Sequence, residues 1–187
     1  MSEEERQSPS APKQSALSIF YEFLDIVIVA VVCVVLIFTF VFRTVGVSGS
    51  SMLPALENGE RLLITHLNYQ PQYGDIVVVI QPDNPQQPLI KRVIATEGQM
   101  VDIDFASGIV YVDDIPLEEP YTNAPTHEDY GGKFPQMVPQ GQVFVMGDNR
   151  NASTDSRDPR VGMVDVRNIL GEVFVRILPV NRFGTVA

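Results

Sequence analysis

"IVIVAVVCVVLIFTFVF", residues 26–42, is the longest apolar run of the chain, and it decides how the rest of the sequence is organised. At ~1.5 Å rise per residue, a helix over this run would span roughly 25 Å, and the apolar residues just before it can extend it. That length approaches the hydrocarbon core of a bilayer, which is about 30 Å thick. The sequence therefore predicts a transmembrane anchor over residues 18–43, between a tail over residues 1–17 and a single domain over residues 44–187.

A cleaved secretory signal is the main alternative to a retained anchor. The apolar region of such a signal usually holds about 7 to 15 residues and is followed by a small-x-small cleavage site. The run here is longer, and the segment FRTVGVSG that begins at its end contains no Ala-x-Ala, so we expect a retained anchor. Positive charge does not orient it, because Arg6 and Lys13 precede the run while Arg43 and Arg61 follow it.

Composition bounds the remainder of the chain. Residues 1–17 are rich in Ser, Pro, Gln and Glu, which predicts a disordered tail. Residues 44–187 hold 10 basic and 18 acidic residues, and this acidic balance argues against nucleic acid as a partner. The only cysteine, Cys33, lies in the apolar run, so we expect no disulfide framework, thiol nucleophile or cysteine zinc site in the domain.

Seven short segments after the anchor are rich in Val and Ile and are separated by turn residues such as Gly74 and Gly98. This pattern predicts β-strands, and the domain is therefore expected to be mainly β, a barrel or a sandwich. Residues 115–141 contain five prolines and predict a long irregular excursion. The predicted strands cover residues 61–67, 75–80, 89–94, 100–104, 109–113, 142–146 and 172–178.

Three serines lie in "GVSGSSMLPAL", residues 46–56, directly after the anchor, and a serine nucleophile needs a base. A Ser/His/Asp triad is one interpretation, although His127 lies in the polar excursion and His66 in an apolar strand. A neutral lysine is the other base that a serine can use.

Lys91 is the lysine that fits this second interpretation, because it lies in the apolar segment "PLIKRVIA", residues 88–95. Neighbouring side chains of a strand point to opposite faces, so we expect only one of Lys91 and Arg92 to face the core. If Lys91 faces inward, desolvation lowers its pKa from about 10.4 toward neutrality. A lysine on an edge strand whose amine reaches solvent remains the alternative.

The segment "MGDNRNASTDSRDPR", residues 146–160, carries another concentration of polar residues directly after a predicted strand. Turns and local ion pairs would explain much of it. A calcium loop is excluded, because Arg150 and Ala152 stand at positions that must supply ligands.

Four segments together resemble the type I signal peptidases, which are membrane-bound Ser/Lys endopeptidases. They are "SGSSMLPAL", "YGDIVVV", "IKRVIATEGQMV" and "GDNRNASTDSR", and they occur in the family's order and approximate spacing from about Val45 to Pro179. The short chain and its one N-terminal anchor are similar to the Gram-positive-type members. The resemblance implies the mainly β fold that signal peptidases share with repressor-type autoproteases. It also implies a cytoplasmic N-terminus and an extracytoplasmic catalytic domain at the cell membrane.

The resemblance further implies a function, which is removal of signal peptides from exported preproteins after small residues of the Ala-X-Ala type. The implied partners are preproteins, the lipid bilayer and, as a candidate, the secretion translocon. No metal or organic cofactor is implied. Ser51 matches the nucleophile and Lys91 the general base. Ser153 matches the hydroxyl that orients the lysine amine, while Asp155 and Arg157 match a supporting ion pair.

The oxyanion hole is where the sequence departs from the family pattern. The family uses the N–H of its nucleophile, and some members add a serine hydroxyl two positions earlier, where this chain has Gly49. Ser48, Ser50 or a backbone N–H is therefore a candidate for the second donor. Asp148 and Arg150 are expected to shape the loop that follows.

Two rival functions remain at the level of sequence. Repressor-type autoproteases use a similar dyad, but they carry a DNA-binding head where this chain has an anchor. A membrane-tethered binding module that has lost catalysis is the other, and the presence of both Ser51 and Lys91 argues against it.

Overall fold

The computed structural model describes residues 16–67, 69–81 and 84–186. The predicted tail, residues 1–17, lies outside this part of the chain except for its last two residues, which belong to a helix. The chain divides after Phe40 into two compact units.

The first unit contains the helix α1, Ala16–Phe40. Its stretch Ile19–Thr39 has 21 residues and a mean hydropathy of 2.7, which makes it long and apolar enough to cross a membrane. Isoleucine, valine and phenylalanine side chains are exposed along it, as expected of a helix whose apolar surface continues all round. The helix ends three residues before the predicted boundary at residue 43, because a strand begins at Phe42.

The second unit is mainly β, as predicted, and its strands form two antiparallel sheets. The strands in the described residues are β1 (Phe42–Gly46), β2 (Arg61–Thr65), β3 (Ile76–Gln81), β4 (Asn84–Thr96), β5 (Met100–Asp104), β6 (Ile109–Val112), β7 (Ile115–Pro116), β8 (Gln136–Met137), β9 (Gln142–Met146), β10 (Val164–Asp165) and β11 (Ile169–Leu178). The larger sheet has seven strands in the order β1-β2-β11-β3-β4-β9-β10, and the smaller has four in the order β7-β6-β5-β8.

Every predicted strand segment overlaps an observed strand, but β4 is longer than its apolar core indicates. It begins at Asn84 and runs through "NPQQP" before it reaches the buried residues from Ile90 onward. Proline cannot donate to a strand ladder, which is why the sequence gives no strand signal there. The strand is tolerated because residues 84–88 are exposed. The predicted excursion over residues 115–141 also contains two short strands, β7 and β8.

The two sheets share one apolar cluster, so they pack against each other. Phe144 and Met146 of β9 lie in this cluster with Val101 of β5 and Val110 of β6. From Ile90 to Ala95, each residue of β4 is buried, so both faces of this strand are covered. This double cover is the feature of the fold that positions the functional residues.

Phe144→Ala should lower the free energy of unfolding by about 3–5 kcal/mol, the usual cost of emptying a buried phenylalanine site. The Phe144 side chain is 0% exposed and meets the Phe134 ring edge to face at a centroid distance of 5.9 Å. Chemical denaturation of the full-length protein in detergent measures the loss. Phe183→Ala is the control, because Phe183 is 66% exposed and its truncation should change the free energy by less than about 0.5 kcal/mol. Equal losses in both variants would contradict a core position for Phe144.

Candidate active site

Lys91 and Ser51 lie in direct contact. Lys91 is on β4, and Ser51 is in the turn that follows β1. The Lys91 Nζ donates a hydrogen bond of 2.8 Å to Ser51 Oγ. The lysine is 2% exposed, so its amine meets the hydroxyl away from bulk water.

Burial lowers the pKa of Lys91 to about 8. The ammonium form loses its hydration inside the domain, and this desolvation is the largest effect. The negative charges of Asp155 and Asp148 act in the opposite direction and raise the pKa, whereas the positive charge of Arg157 lowers it further. The net result is an amine that is partly neutral near physiological pH.

Arg92 is buried as well, at 3% exposure, so the expectation that only one of the two basic residues faces inward is wrong. The two side chains do point to opposite faces, but β4 is covered on both. Arg92 Nε and Nη2 donate to the two carboxylate oxygens of Asp148 at 2.8 and 2.7 Å, and Nη1 donates to Gly74 O. The Tyr121 ring covers the guanidinium at 4.1 Å from its centroid.

The loop after β9 places the other predicted supporting residues close to the dyad. Asp155 and Arg157 form a fully buried ion pair at 2.8 Å, and Asp155 Oδ2 also accepts the Gly147 N–H at 3.0 Å. A Cβ on Gly147 would lie 2.2 Å from Ser153 Oγ and 2.5 Å from Ser51 O, so only glycine fits between them. Ser153 is buried near Ser51, and its hydroxyl has no hydrogen-bond partner among the described residues.

Asn149, to which no sequence pattern pointed, holds the turn that contains Ser51. Its backbone N–H donates to Ser51 O at 3.0 Å, and its Nδ2 donates to Ser50 O at 3.1 Å. The carbonyl groups of Ser50 and Ser51 are thereby fixed. Gly49 adopts a φ of +91° and donates its N–H to the Asn58 side chain at 2.9 Å, while Ser48 is exposed at the edge of a cleft.

The excursion over residues 115–141 braces the same loop and contributes residues that the sequence analysis missed. Glu119 accepts two hydrogen bonds from Arg150, at 2.7 and 2.6 Å, and Tyr121 Oη donates to Glu119. One signal could have pointed to Glu119. The chain buries Arg92, Arg150 and Arg157, but the loop itself supplies only two of the three carboxylates that pair with them.

Neither histidine pairs with Ser51 in the described ranges. His66 follows β2 and is exposed. His127 is also exposed, and its Nδ1 lies 3.0 Å from Phe105 O. Within the described ranges neither forms a hydrogen bond with Ser51, so the triad interpretation finds no geometric support.

A cleft of about 440 Å³ opens beside the dyad. Residues 46–49 form one wall and residues 86–91 of β4 another, with Ser51 and Met52 between them. The Lys91 amine and Ser51 hydroxyl therefore face a space that can hold an extended peptide. A buried base, a hydroxyl and an adjoining cleft form the arrangement that acyl transfer requires.

Comparisons with known proteins agree with this chemistry. Residues 20–178 match the family described as signal peptidase, peptidase S26. A probable signal peptidase I-1 from Synechocystis is 39% identical, with 94% of this chain and 91% of that protein covered. A signal peptidase I from Leptolyngbya laminosa is 36% identical, with 94% and 88% covered, and one from Bacillus licheniformis is 34% identical, with 94% and 96% covered.

The family match spans most of the chain, and it includes all the residues that line the cleft. The chain belongs to the signal peptidase family, peptidase S26.

Proposed function

We propose that this chain is a membrane-bound serine endopeptidase that removes signal peptides from exported preproteins, with Ser51 as nucleophile and Lys91 as general base. The observation that carries the proposal is the 2.8 Å contact between Lys91 Nζ and Ser51 Oγ at the wall of a cleft. Membership of the S26 family supports the reaction type.

Acylation begins when the neutral Lys91 amine accepts the proton of the Ser51 hydroxyl. The hydroxyl oxygen attacks the scissile carbonyl carbon, and the C=O π electrons move to the oxygen to give a tetrahedral oxyanion. As this intermediate collapses, the ammonium of Lys91 returns the proton to the leaving amine, and the peptide C–N bond breaks. The signal peptide is left as an ester on Ser51.

Deacylation repeats the same proton transfers with water in place of serine. Lys91 accepts a proton from the water that attacks the ester carbonyl, and it then protonates Ser51 Oγ as the ester bond breaks. The cycle needs an amine that is neutral at its start. Burial supports this requirement, because with a pKa of about 8 roughly a tenth of the amine is neutral at pH 7 and roughly half at pH 8.

The substrate is proposed to bind along β4 in an extended conformation. Residues 84–92 of β4 pair with β3, whereas β9 pairs only with residues 92–96. Within the described residues, one edge of the 86–90 segment is therefore free beside the cleft. A peptide can add to such an edge as an extra strand, with alternate side chains entering the cleft. Small residues at positions −1 and −3 are the proposed preference.

The proposed location is the cell membrane, with α1 as a single-pass anchor, the N-terminus in the cytoplasm and the catalytic domain outside it. The apolar length of α1 supports the anchor. The resemblance to the type I signal peptidases, which hold their catalytic domain outside the cytoplasm, supports the orientation. The lipid bilayer is then a permanent partner, and the secretion translocon is the proposed source of substrate.

The dyad is tested by Ser51→Ala and Lys91→Met in the full-length protein in detergent. Each variant should lose at least about 10³-fold in the rate of precursor cleavage, because the nucleophile or its base is gone. Gel analysis of a secretory precursor measures the rate, and N-terminal sequencing of the product tests for small residues at −1 and −3. His66→Ala is the control and should keep wild-type activity, because His66 is exposed. A folded Lys91→Met enzyme with substantial activity would refute the proposal.

The pH dependence follows from the lowered pKa of Lys91. Since only the neutral amine accepts the Ser51 proton, kcat/KM should rise about tenfold per pH unit below pH 7 and level off above a midpoint near pH 8. A pH profile with a small uncharged peptide substrate measures this limb. A midpoint near 10.5, the ordinary lysine value, would mean that the base is solvated and would contradict the buried geometry.

Ser153 and Ser156 form a matched pair for the proposed role of Ser153 in orienting the lysine amine. Both are 3% exposed, but Ser156 Oγ accepts the Val145 N–H at 3.0 Å, whereas Ser153 Oγ has no partner in the described chain. Ser153→Ala should therefore reduce kcat at least tenfold without loss of stability. Ser156→Ala should lower the free energy of unfolding by about 1–3 kcal/mol. Denaturation curves and kcat measured on both variants separate the two roles, and an unchanged kcat in Ser153→Ala would remove it from the mechanism.

A further inference from the structure

Two asparagine side chains hold the turn that carries Ser51, one from each side. Asn149 donates to Ser50 O, as described above. On the other side, Asn58 Oδ1 accepts the N–H of Gly49 at 2.9 Å. No sequence pattern pointed to Asn58, and it takes no part in the proton transfers proposed for Ser51 and Lys91.

The position of Asn58 is fixed by a closed loop between residues 47 and 60. Val47 donates its N–H to Glu60 O at 2.8 Å, and Gly59 donates its N–H to Val47 O at 2.9 Å. Glu60 is itself 3% exposed, and its carboxylate pairs with Arg176 at 3.0 Å. These contacts hold the loop in place, so the Asn58 amide is kept next to Gly49.

Position 49 requires glycine because of its backbone conformation, and not because a side chain would lack space. Its φ is +91°, a region that L-residues with a side chain rarely adopt, and an added Cβ would meet nothing within 4 Å. Glycine also reaches negative φ values at little cost, so the residue alone does not select this conformation. In this conformation, the N–H of Gly49 donates to the Asn58 side chain.

In the observed conformation, some backbone groups of the turn form hydrogen bonds and others are left without a partner in the described residues. Asn149 occupies the carbonyl oxygens of Ser50 and Ser51, and Asn58 occupies the N–H of Gly49. The N–H groups of Ser50 and Ser51 have no acceptor among the residues that the structure describes. Unpaired N–H groups beside a nucleophile are the donors that stabilise an oxyanion.

We propose that Asn58 is a positioning residue, which holds Gly49 at positive φ and thereby orients the N–H groups of Ser50 and Ser51 toward the oxyanion. The inference rests on the proposed function, because it takes Ser51 as the nucleophile. A neutral amide suits this position, since it supplies an acceptor oxygen without a negative charge beside the developing oxyanion.

The test compares substrate binding with oxyanion stabilisation in Asn58→Ala. A peptide aldehyde ending in alanine is the probe. Ser51 Oγ adds to the aldehyde carbon, the C=O π bond breaks, and the serine proton passes to Lys91, which leaves a tetrahedral oxyanion adduct. Because one neutral hydrogen bond contributes an amount equivalent to a factor of about 3 to 10, kcat should fall, and the aldehyde inhibition constant should rise, by roughly that factor. KM should stay within about twofold.

Asn181→Ala is the matched control, because Asn181 is exposed in a short 3-10 helix and its side chain forms no hydrogen bond within the described ranges. Its kcat and inhibition constant should equal those of the wild type. Wild-type values in Asn58→Ala would overturn the inference. A higher KM with an unchanged inhibition constant would also overturn it, since Asn58 would then act on substrate binding.

Gly49→Ala is a second, independent test of the inference, and it remains usable if Asn58→Ala fails to fold. The new methyl group has free space but disfavours φ of +91°, so kcat and the inhibition constant should change as in Asn58→Ala. The double variant should be little worse than either single variant, because both act on the same turn. Additive effects, or a wild-type inhibition constant in Gly49→Ala, would contradict the inference. Activity that survives in Ser51→Ala would instead refute the proposed function, so the two failures are distinguishable.

Discussion

The burial of the Lys91 amine against the Ser51 hydroxyl is the constraint on which the rest of the domain depends. A fall in pKa from 10.5 to about 8 corresponds to about 3 kcal/mol, which opposes folding at neutral pH. The unfolded chain binds more protons than the folded chain between pH 8 and 10.5, so this cost is fully present below pH 8 and disappears as the pH rises through that window. The remaining structure must offset it. The active site therefore lowers the stability of the domain, because its function requires a buried lysine whose protonated form is destabilised.

Three arginine–carboxylate pairs with buried guanidinium groups hold the loop after β9, and their role is to fix geometry. Arg92–Asp148, Arg150–Glu119 and Arg157–Asp155 all have guanidinium groups that are at most 3% exposed. Such pairs contribute little net stability, because desolvation offsets most of their attraction, but the loss of one partner is strongly destabilising. Arg92–Asp148 joins the loop after β9 to β4, and Arg150–Glu119 joins it to the excursion over residues 115–141, whereas Arg157–Asp155 lies within the loop. The loop that carries Ser153 is thereby held against the turn of Ser51, where Gly147 lets the backbones approach.

Local patterns predicted the parts of this structure that local forces determine. The apolar run predicted α1, and short segments rich in Val and Ile between turn residues predicted the strands of the core. The pairing of Ser51 with Lys91 came only from the family resemblance, because alternation left both Lys91 and Arg92 open as the inward residue. The alternation rule failed there, since it assumes a strand with one covered face. Glu119, Asn149 and Asn58 were missed for a related reason. Each acts through a contact with a chain segment distant in sequence or through a backbone group. Contacts of these two kinds leave no periodic signal in the sequence.

The register of β4 determines which of its two adjacent basic side chains faces Ser51. Arg92 is opposite Ile76 of β3 and Met146 of β9, so the strand is held from both sides at this residue. Because the side-chain period of a strand is two, a slip of one residue would exchange the faces of Lys91 and Arg92. Ser51 would then meet a guanidinium, which does not lose its proton in proteins and so has no lone pair to accept one from serine. The two adjacent basic residues thus have opposite requirements: one must shed its charge toward the cleft, and the other must keep its charge to hold Asp148. Only a strand that is covered on both faces and locked in register can meet both at once.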